Sequence, residues 1–193
     1  MTDDRTSSPV HGLLLAAGQG SRMGRPKALV TGADGEPWLE RSVRVLRDGG
    51  CSEVTVVLGA DAEAARGLVP PGALVVVADD WRHGMSASLR AGLDALAGRA
   101  ADAALVHLVD LPDVGADVVA RLVAAHDGPD VLARATYGGR PGHPVLLGRS
   151  HWAGVAASVT GDGGARDYLA RSGALAVECG DLASGRDQDR PLP

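Results

Sequence analysis

Lys27 is the only lysine in the chain, and the other 18 of its 19 basic residues are arginine. It closes the turn Leu13-Leu-Leu-Ala-Ala-Gly-Gln-Gly-Ser-Arg-Met-Gly-Arg-Pro-Lys27, directly after the first apolar run. Glycines let a backbone approach a bound group closely, and a compact ammonium beside loop amides favours an anion. Arg22 and Arg25 add charge to the same turn, so the chemistry it suits is phosphate binding. Gly18, Gly20 and Gly24 give a G-x-G-x-x-x-G spacing, which departs from both the dinucleotide fingerprint and the P-loop. An ordinary strand-to-helix turn with surface charges fits the glycines equally well.

Asp110 is the second reactive position, at the end of the apolar segment Leu105-Val-His-Leu-Val-Asp-Leu-Pro112. A strand that ends in a carboxylate offers a hard oxygen ligand, and Mg²⁺ commonly takes one or two of these together with substrate phosphates. A turn or helix-capping aspartate is the alternative, and Asp113, just before a helix from Gly115 onward, fits that use better. Between these positions, Trp81-Arg-His-Gly-Met-Ser-Ala-Ser-Leu-Arg-Ala-Gly92 opens a helix with two hydroxyls, Ser86 and Ser88, either of which suits a cap.

The elements that must carry these residues are short apolar runs bounded by turn residues. They fall at Val10 to Ala16, Val54 to Leu58, Leu74 to Ala78, Ala103 to Val109, Val131 to Ala135, Val145 to Leu147 and Leu175 to Val177, and read as buried strands. Helical spacing lies between them: Leu39, Val43 and Leu46; Leu89, Leu93 and Leu96; Val118, Val119, Leu122 and Val123. This alternation predicts an α/β fold with a mainly parallel sheet and helices on both faces. The pattern loosens after Ala135, where Tyr137-Gly-Gly-Arg-Pro-Gly-His-Pro144 breaks it. Ligands of such sheets collect beyond the carboxyl ends of the strands, so Gly18 to Lys27, Asp79 to Ser88 and Asp110 to Asp113 are predicted to share one pocket.

With 193 residues, the chain reads as a disordered polar tail over residues 1–9 and a single domain over 10–193. The net charge of −5 argues against a nucleic-acid binder, which needs a basic face. Cys51 and Cys179 lack metal-ligand spacing and read as small buried residues, and Trp38 and Trp152 as helix packing. The polar start and the absence of a long apolar run exclude a membrane span, and with two unpaired cysteines predict a cytoplasmic protein. No apolar stripe points to an oligomer interface.

The string Leu-Ala-Ala-Gly-x-Gly-Ser-Arg-Met-Gly-x-Pro-Lys resembles the signature of the molybdenum cofactor nucleotidyltransferases. The resemblance implies a three-layer α/β/α Rossmann-like fold whose loop wraps a nucleoside triphosphate through Ala16, Ala17, Gly18, Gly20, Arg22, Gly24 and Lys27. Asp110 matches the family's strand-Asp-x-Pro metal motif. Gly84-Met-Ser-Ala-Ser-Leu89 resembles a segment beside the ribose and base, with Ser86 as its contact, although the family's nearby Asn is here Ala78 or Asp79. Gly139 to Leu147 and Thr160 to Arg166 resemble segments near the acceptor, where Asp162 and Arg166 are placed to pair. His143 there reads as structural, because an attacking phosphate needs no base. The tail Gly185-Arg-Asp-Gln-Asp-Arg190 resembles the closing Asp-x-Asp-Thr-Pro motif, with Asp189 as second metal ligand, Asp187 beside it, and a terminus expected to fray.

The activity this implies is Mg²⁺-dependent transfer of CMP or GMP from CTP or GTP to the phosphate of a pterin-type acceptor, with release of pyrophosphate. Lys27, Arg22 and Asp110 would be the catalytic groups. Gly-His-Pro-Val-Leu-Leu, Gly-Ala-Arg-Asp-Tyr-Leu and Glu-Cys-Gly-Asp also resemble members named nicotine blue oxidoreductases, which implies an NAD(P)H-dependent alternative. A nucleotide-binding regulator without turnover is the third possibility, suggested by the shortened tail.

Overall fold

The computed structural model describes residues 10–190, so the tail expected over residues 1–9 lies outside it. Seven strands form one sheet in the order β3-β2-β1-β4-β6-β5-β7. These are β1 (Val10–Ala16), β2 (Val54–Leu58), β3 (Leu74–Val77), β4 (Ala103–Leu108), β5 (Leu132–Tyr137), β6 (Arg140–Gly148) and β7 (Leu175–Glu178). All neighbours are parallel except β6, which runs against both β4 and β5.

Side chains alternate across a strand, and β1 uses both faces. Leu14 and Ala16 join one core with α1 (Trp38–Asp48) and α4 (Ala116–Val123), through Leu39, Val43, Leu46, Val118 and Leu122. Leu13 and Leu15 join the opposite core with α3 (Met85–Leu96), α5 (Arg149–Ser158) and α6 (Arg166–Arg171), through Leu89, Leu93, Trp152 and Leu169. Short α2 (Ala62–Arg66) adds Ala65 to the first core. The result is the expected three-layer α/β/α arrangement. Gly92 lets α3 lie close on β1, since a Cβ there would stand 2.7 Å from a Leu13 methyl.

The segment expected to interrupt regularity is instead a hairpin. Gly138 and Gly139 have φ of 57° and 75°, as a two-residue turn between right-twisted strands requires. The Glu178 carboxylate on β7 accepts hydrogen bonds from the N–H groups of Gly138 (2.7 Å) and Gly139 (3.1 Å) and from the Thr136 hydroxyl (2.8 Å). Those bonds, led by the Gly139 amide, push its pKa down to about 2. Pro141 and Pro144 are tolerated because β6 pairs with β4 only from Val145 to Gly148, which leaves the proline stretch with β5 alone.

His107 on β4 is fully buried, with both ring nitrogens lacking a hydrogen-bond partner. Burial, then the charges of His143 and Arg41, push its pKa down to about 3, so it is neutral in the folded sheet. Cys51 and Cys179 are buried thiols, and burial pushes Cys51 up to about 12. No helix among the described residues is long and apolar enough to cross a membrane.

Candidate active site

Strand order reverses beside β1, with β2 on one side and β4 on the other, and an open parallel sheet has its crevice at such a point. The glycine turn leaves the end of β1 and Asp110 the end of β4. The third loop, after β3, reaches the same place. Together they line a cavity of about 670 Å³ whose walls include Ala16, Ala17, Gly18, Gly20, Arg22 and Lys27 from the turn. Trp81, Arg82, Gly84, Met85 and Ser88 come from the β3 loop and α3, and Asp110, Asp162 and Asp189 complete the lining.

Local backbone chemistry shapes the turn. Gly20 has φ +61° and its carbonyl accepts the N–H groups of Met23 (2.8 Å) and Gly24 (2.9 Å). A side chain at Gly20 is excluded twice, because its Cβ would also sit 2.1 Å from the Arg25 carbonyl oxygen. Pro26 precedes a single helical turn, Lys27–Leu29, and the Lys27 N–H returns to the Gly18 carbonyl at 3.4 Å. The lysine is thereby aimed back over the crevice. Gly24, expected at the ligand, does not line the cavity; with φ +76° it closes the turn, and the position of its missing Cβ faces open space.

Two carboxylates converge on the lysine. The ammonium donates to Asp110 Oδ2 and to Asp189 Oδ1, the latter at 2.6 Å, while Arg22 Nη1 donates to Asp189 Oδ2 at 2.9 Å. Burial opposes the charge on Lys27, but the bonds and attraction from Asp110 and Asp189 outweigh it and hold its pKa above the usual range. The Lys27 hydrogen bond in turn draws the Asp189 carboxyl below its ordinary value. Asp110, Asp187 and Asp189 can each bring one oxygen within 4.8 Å of the others. An all-oxygen, acidic set of this kind suits a hard divalent cation.

Among the described residues, the tail as far as Asp189 is tied down by hydrogen bonds, while the last three residues lie outside them. The Gln188 N–H donates to the Asp110 carbonyl at 2.9 Å, setting the tail's backbone against that of the β4 loop. Upstream, Asp113 accepts the Ser184 N–H at 2.6 Å and its hydroxyl at 2.5 Å, a structural use of this aspartate. Arg121 on α4 grips Asp181 through two bonds of 2.6 and 2.9 Å and the Glu178 carbonyl at 2.8 Å. Sequence alone offered no signal for these clasps, whose partners lie 57 to 78 residues apart.

Two expectations near α3 change. Ser86 is fully buried and does not line the cavity. The helix begins at Met85, and residues three apart share a face, so Met85 and Ser88 look into the crevice while Ser86 turns into packed side chains. Neither serine caps the helix, whose N-cap is Gly84 at φ +96°. Asp162 does not pair with Arg166 among the described ion pairs; it accepts the Met85 N–H at 3.4 Å. Trp81, stacked under Arg82 at 4.5 Å, is a wall of the site that the hydrophobic pattern did not mark.

Comparison with known proteins places this geometry. A family model described as the MobA-like NTP transferase domain matches residues 12–176. The nicotine blue oxidoreductase of Paenarthrobacter nicotinovorans is 39% identical over 93% of this chain and 92% of its own length. A molybdenum cofactor guanylyltransferase of Rhodobacter capsulatus is 33% identical over 74% of this chain and 65% of its own. Among solved structures, Rv0371C of Mycobacterium tuberculosis in complex with manganese superposes with a TM-score of 0.72, at 28% identity, covering 90% of this chain and 88% of that one. Because that match covers most of the chain, the chain belongs to the MobA-like NTP transferase domain family of nucleotidyltransferases.

Proposed function

We propose that the chain transfers CMP or GMP from CTP or GTP to the terminal phosphate of a molybdopterin-type acceptor, with Mg²⁺ as its metal. The observation that carries this reading is the meeting of Asp110, Asp187 and Asp189 with Lys27 at the end of β4. Their oxygens fit a divalent cation by number, hardness and spacing, and Mg²⁺ there supplies charge neutralisation at the reacting phosphates. The amides and glycines of the β1 turn cradle the triphosphate, and Ser88 and Trp81 bound its sugar and base. An acceptor phosphate oxygen attacks the α-phosphorus as the bond to the bridging oxygen breaks, and pyrophosphate leaves with the bonding electrons. Lys27 and Arg22 stabilise the charge that moves onto it, so the protein contributes mainly position and electrostatics.

A second reading is favoured by one observation, the match to the nicotine blue oxidoreductase over 93% of this chain. Hydride transfer from NAD(P)H would use the same glycine turn for phosphates, yet it gives the acidic trio no part. The deciding experiment measures pyrophosphate release with Mg²⁺, each of the four nucleoside triphosphates and a molybdopterin acceptor, beside NAD(P)H oxidation with a quinone-like substrate. Release of pyrophosphate that depends on both acceptor and metal supports the transferase; NAD(P)H oxidation without it overturns that reading. Nucleotide binding with neither activity leaves a regulator.

A further inference from the structure

Two of the three clustered carboxylates, Asp187 and Asp189, reach the crevice on one arm of the chain, residues 181–189, which follows β7. At its tip the arm is held by Gln188, whose N–H donates to the Asp110 carbonyl, and by Asp189, bonded to Lys27 and Arg22. The Asp189 bonds are the ones that a cation and a triphosphate replace, so they cannot fix the arm while the site is loaded. Its root is held independently. Arg121 on α4 meets both carboxylate oxygens of Asp181 and the Glu178 carbonyl, and Asp113 takes the N–H and hydroxyl of Ser184. Leu182 and Ala183, between these two clasps, pack on the core. Gly185 then turns the chain at φ +62° over the Tyr137 ring, where a Cβ would stand 2.1 Å from a ring carbon. A left-handed backbone against a ring leaves room for glycine alone.

We propose that Arg121, Asp113 and Gly185 are positioning residues for the divalent cation: they fix the root of the arm so that Asp187 and Asp189 stay beside Asp110 when Lys27 and Arg22 turn to phosphate. The inference rests on the metal-dependent transferase reading and deepens it by naming what sets the cation's affinity. Three carboxylates hold a cation together only in the fraction of molecules whose arm is in place, so apparent affinity falls as that fraction falls. All three positioning residues lie outside the lining of the crevice. The arm serves that site alone. A second chamber of about 510 Å³, beneath the β5–β6 hairpin and lined by Arg134 and Arg166, shares Leu15, Met85 and Asp162 with the crevice but takes no wall from the arm. Charge makes the sign of the effect diagnostic. Removing an arginine makes the surroundings more negative and by itself tightens a cation, whereas loosening the arm weakens it.

Mn²⁺ binding to the full-length chain, followed through the free ion's electron paramagnetic resonance signal, reads the arm without turnover. Arg121→Gln should weaken Mn²⁺ about fivefold with the thermal midpoint preserved, and Gly185→Ala, which changes no charge, should weaken it about tenfold. Arg44→Gln, which breaks a surface pair with Glu36 away from the arm, should leave the affinity unchanged or slightly tighter. In Arg121→Gln the Gln188 amide should also exchange with solvent about fivefold faster by NMR, while the amides of β4 keep their protection. An unchanged or tighter Mn²⁺ affinity in Arg121→Gln, or Gln188 exchange that does not move, overturns the positioning role. The metal reading is judged apart from it. If Asp110→Asn and Asp189→Asn weaken Mn²⁺ and Arg121→Gln does not, positioning alone falls; a wild-type chain that binds no Mn²⁺, or binds it equally without these carboxylates, overturns both.

Discussion

The two chambers share a wall and treat charge in opposite ways. In the crevice at the end of β1 and β4, Lys27 and Arg22 are already bonded to Asp110 and Asp189, so the resting site neutralises itself. Beneath the hairpin, Arg134 and Arg166 are like charges with a buried N–H left unpaired. The first chamber therefore must exchange partners to accept a triphosphate, and an incoming cation is the natural compensation for freed carboxylates. The second needs no exchange. Its walls are otherwise largely apolar.

Perturbations should separate the chambers in a definite order. Asp110→Asn should lower metal-supported pyrophosphate release the most, by about 1,000-fold, with the thermal midpoint preserved; turnover within tenfold of wild type would detach the metal from this residue. Lys27→Ala should follow, by about 100-fold, because charge on the departing phosphates loses its partner. The same change leaves Asp110 and Asp189 facing each other, so Mg²⁺ should raise the melting temperature of Lys27→Ala more than that of wild type. Gly20→Ala should weaken triphosphate binding about tenfold, measured by calorimetry, since a left-handed backbone and the Arg25 carbonyl both reject the methyl. His143→Gln should change turnover by no more than about threefold, and the rate profile between pH 5.5 and 8 should keep its shape. A proton-transferring His143 would instead cost about 100-fold or more and erase a limb of that profile.

The parallel half of the sheet was legible in the sequence because burial on both faces leaves unbroken apolar runs, as in Leu13-Leu-Leu or Val54-Thr-Val-Val-Leu58. The loops after those strands followed from the topology, and so did their sharing of one crevice. In the hairpin half the runs Val131 to Ala135, Val145 to Leu147 and Leu175 to Val177 were legible as strands, but the tight turn and the proline-bearing start of β6 were not. Pro141 and Pro144 argue against a strand until it is known that β6 lacks a second partner there, which is a fact of tertiary pairing. Ser86 misled for a rotational reason: a motif gives the segment but not which of two hydroxyls lies on the open face of α3. The clasps of Asp113, Arg121 and Glu178 that hold the tail and the turn join residues too far apart in the chain for any local pattern to reveal.

The unpartnered His107 ties this fold to proton activity. In the unfolded chain an imidazole takes up its proton near pH 6.5, whereas the native strand refuses it until about pH 3. Protons thus bind preferentially to the unfolded state across that interval, and folding stability, complete above pH 6.5, must decline steadily as the solution is acidified. His143, held neutral down to about pH 4, acts in the same direction. Denaturant titrations at pH 7.5 and 5.0 should show the midpoint falling, and replacing His107 by Leu should flatten that fall. The strand that delivers Asp110 to the crevice is then also a built-in limit on how acidic a compartment this protein can occupy while folded.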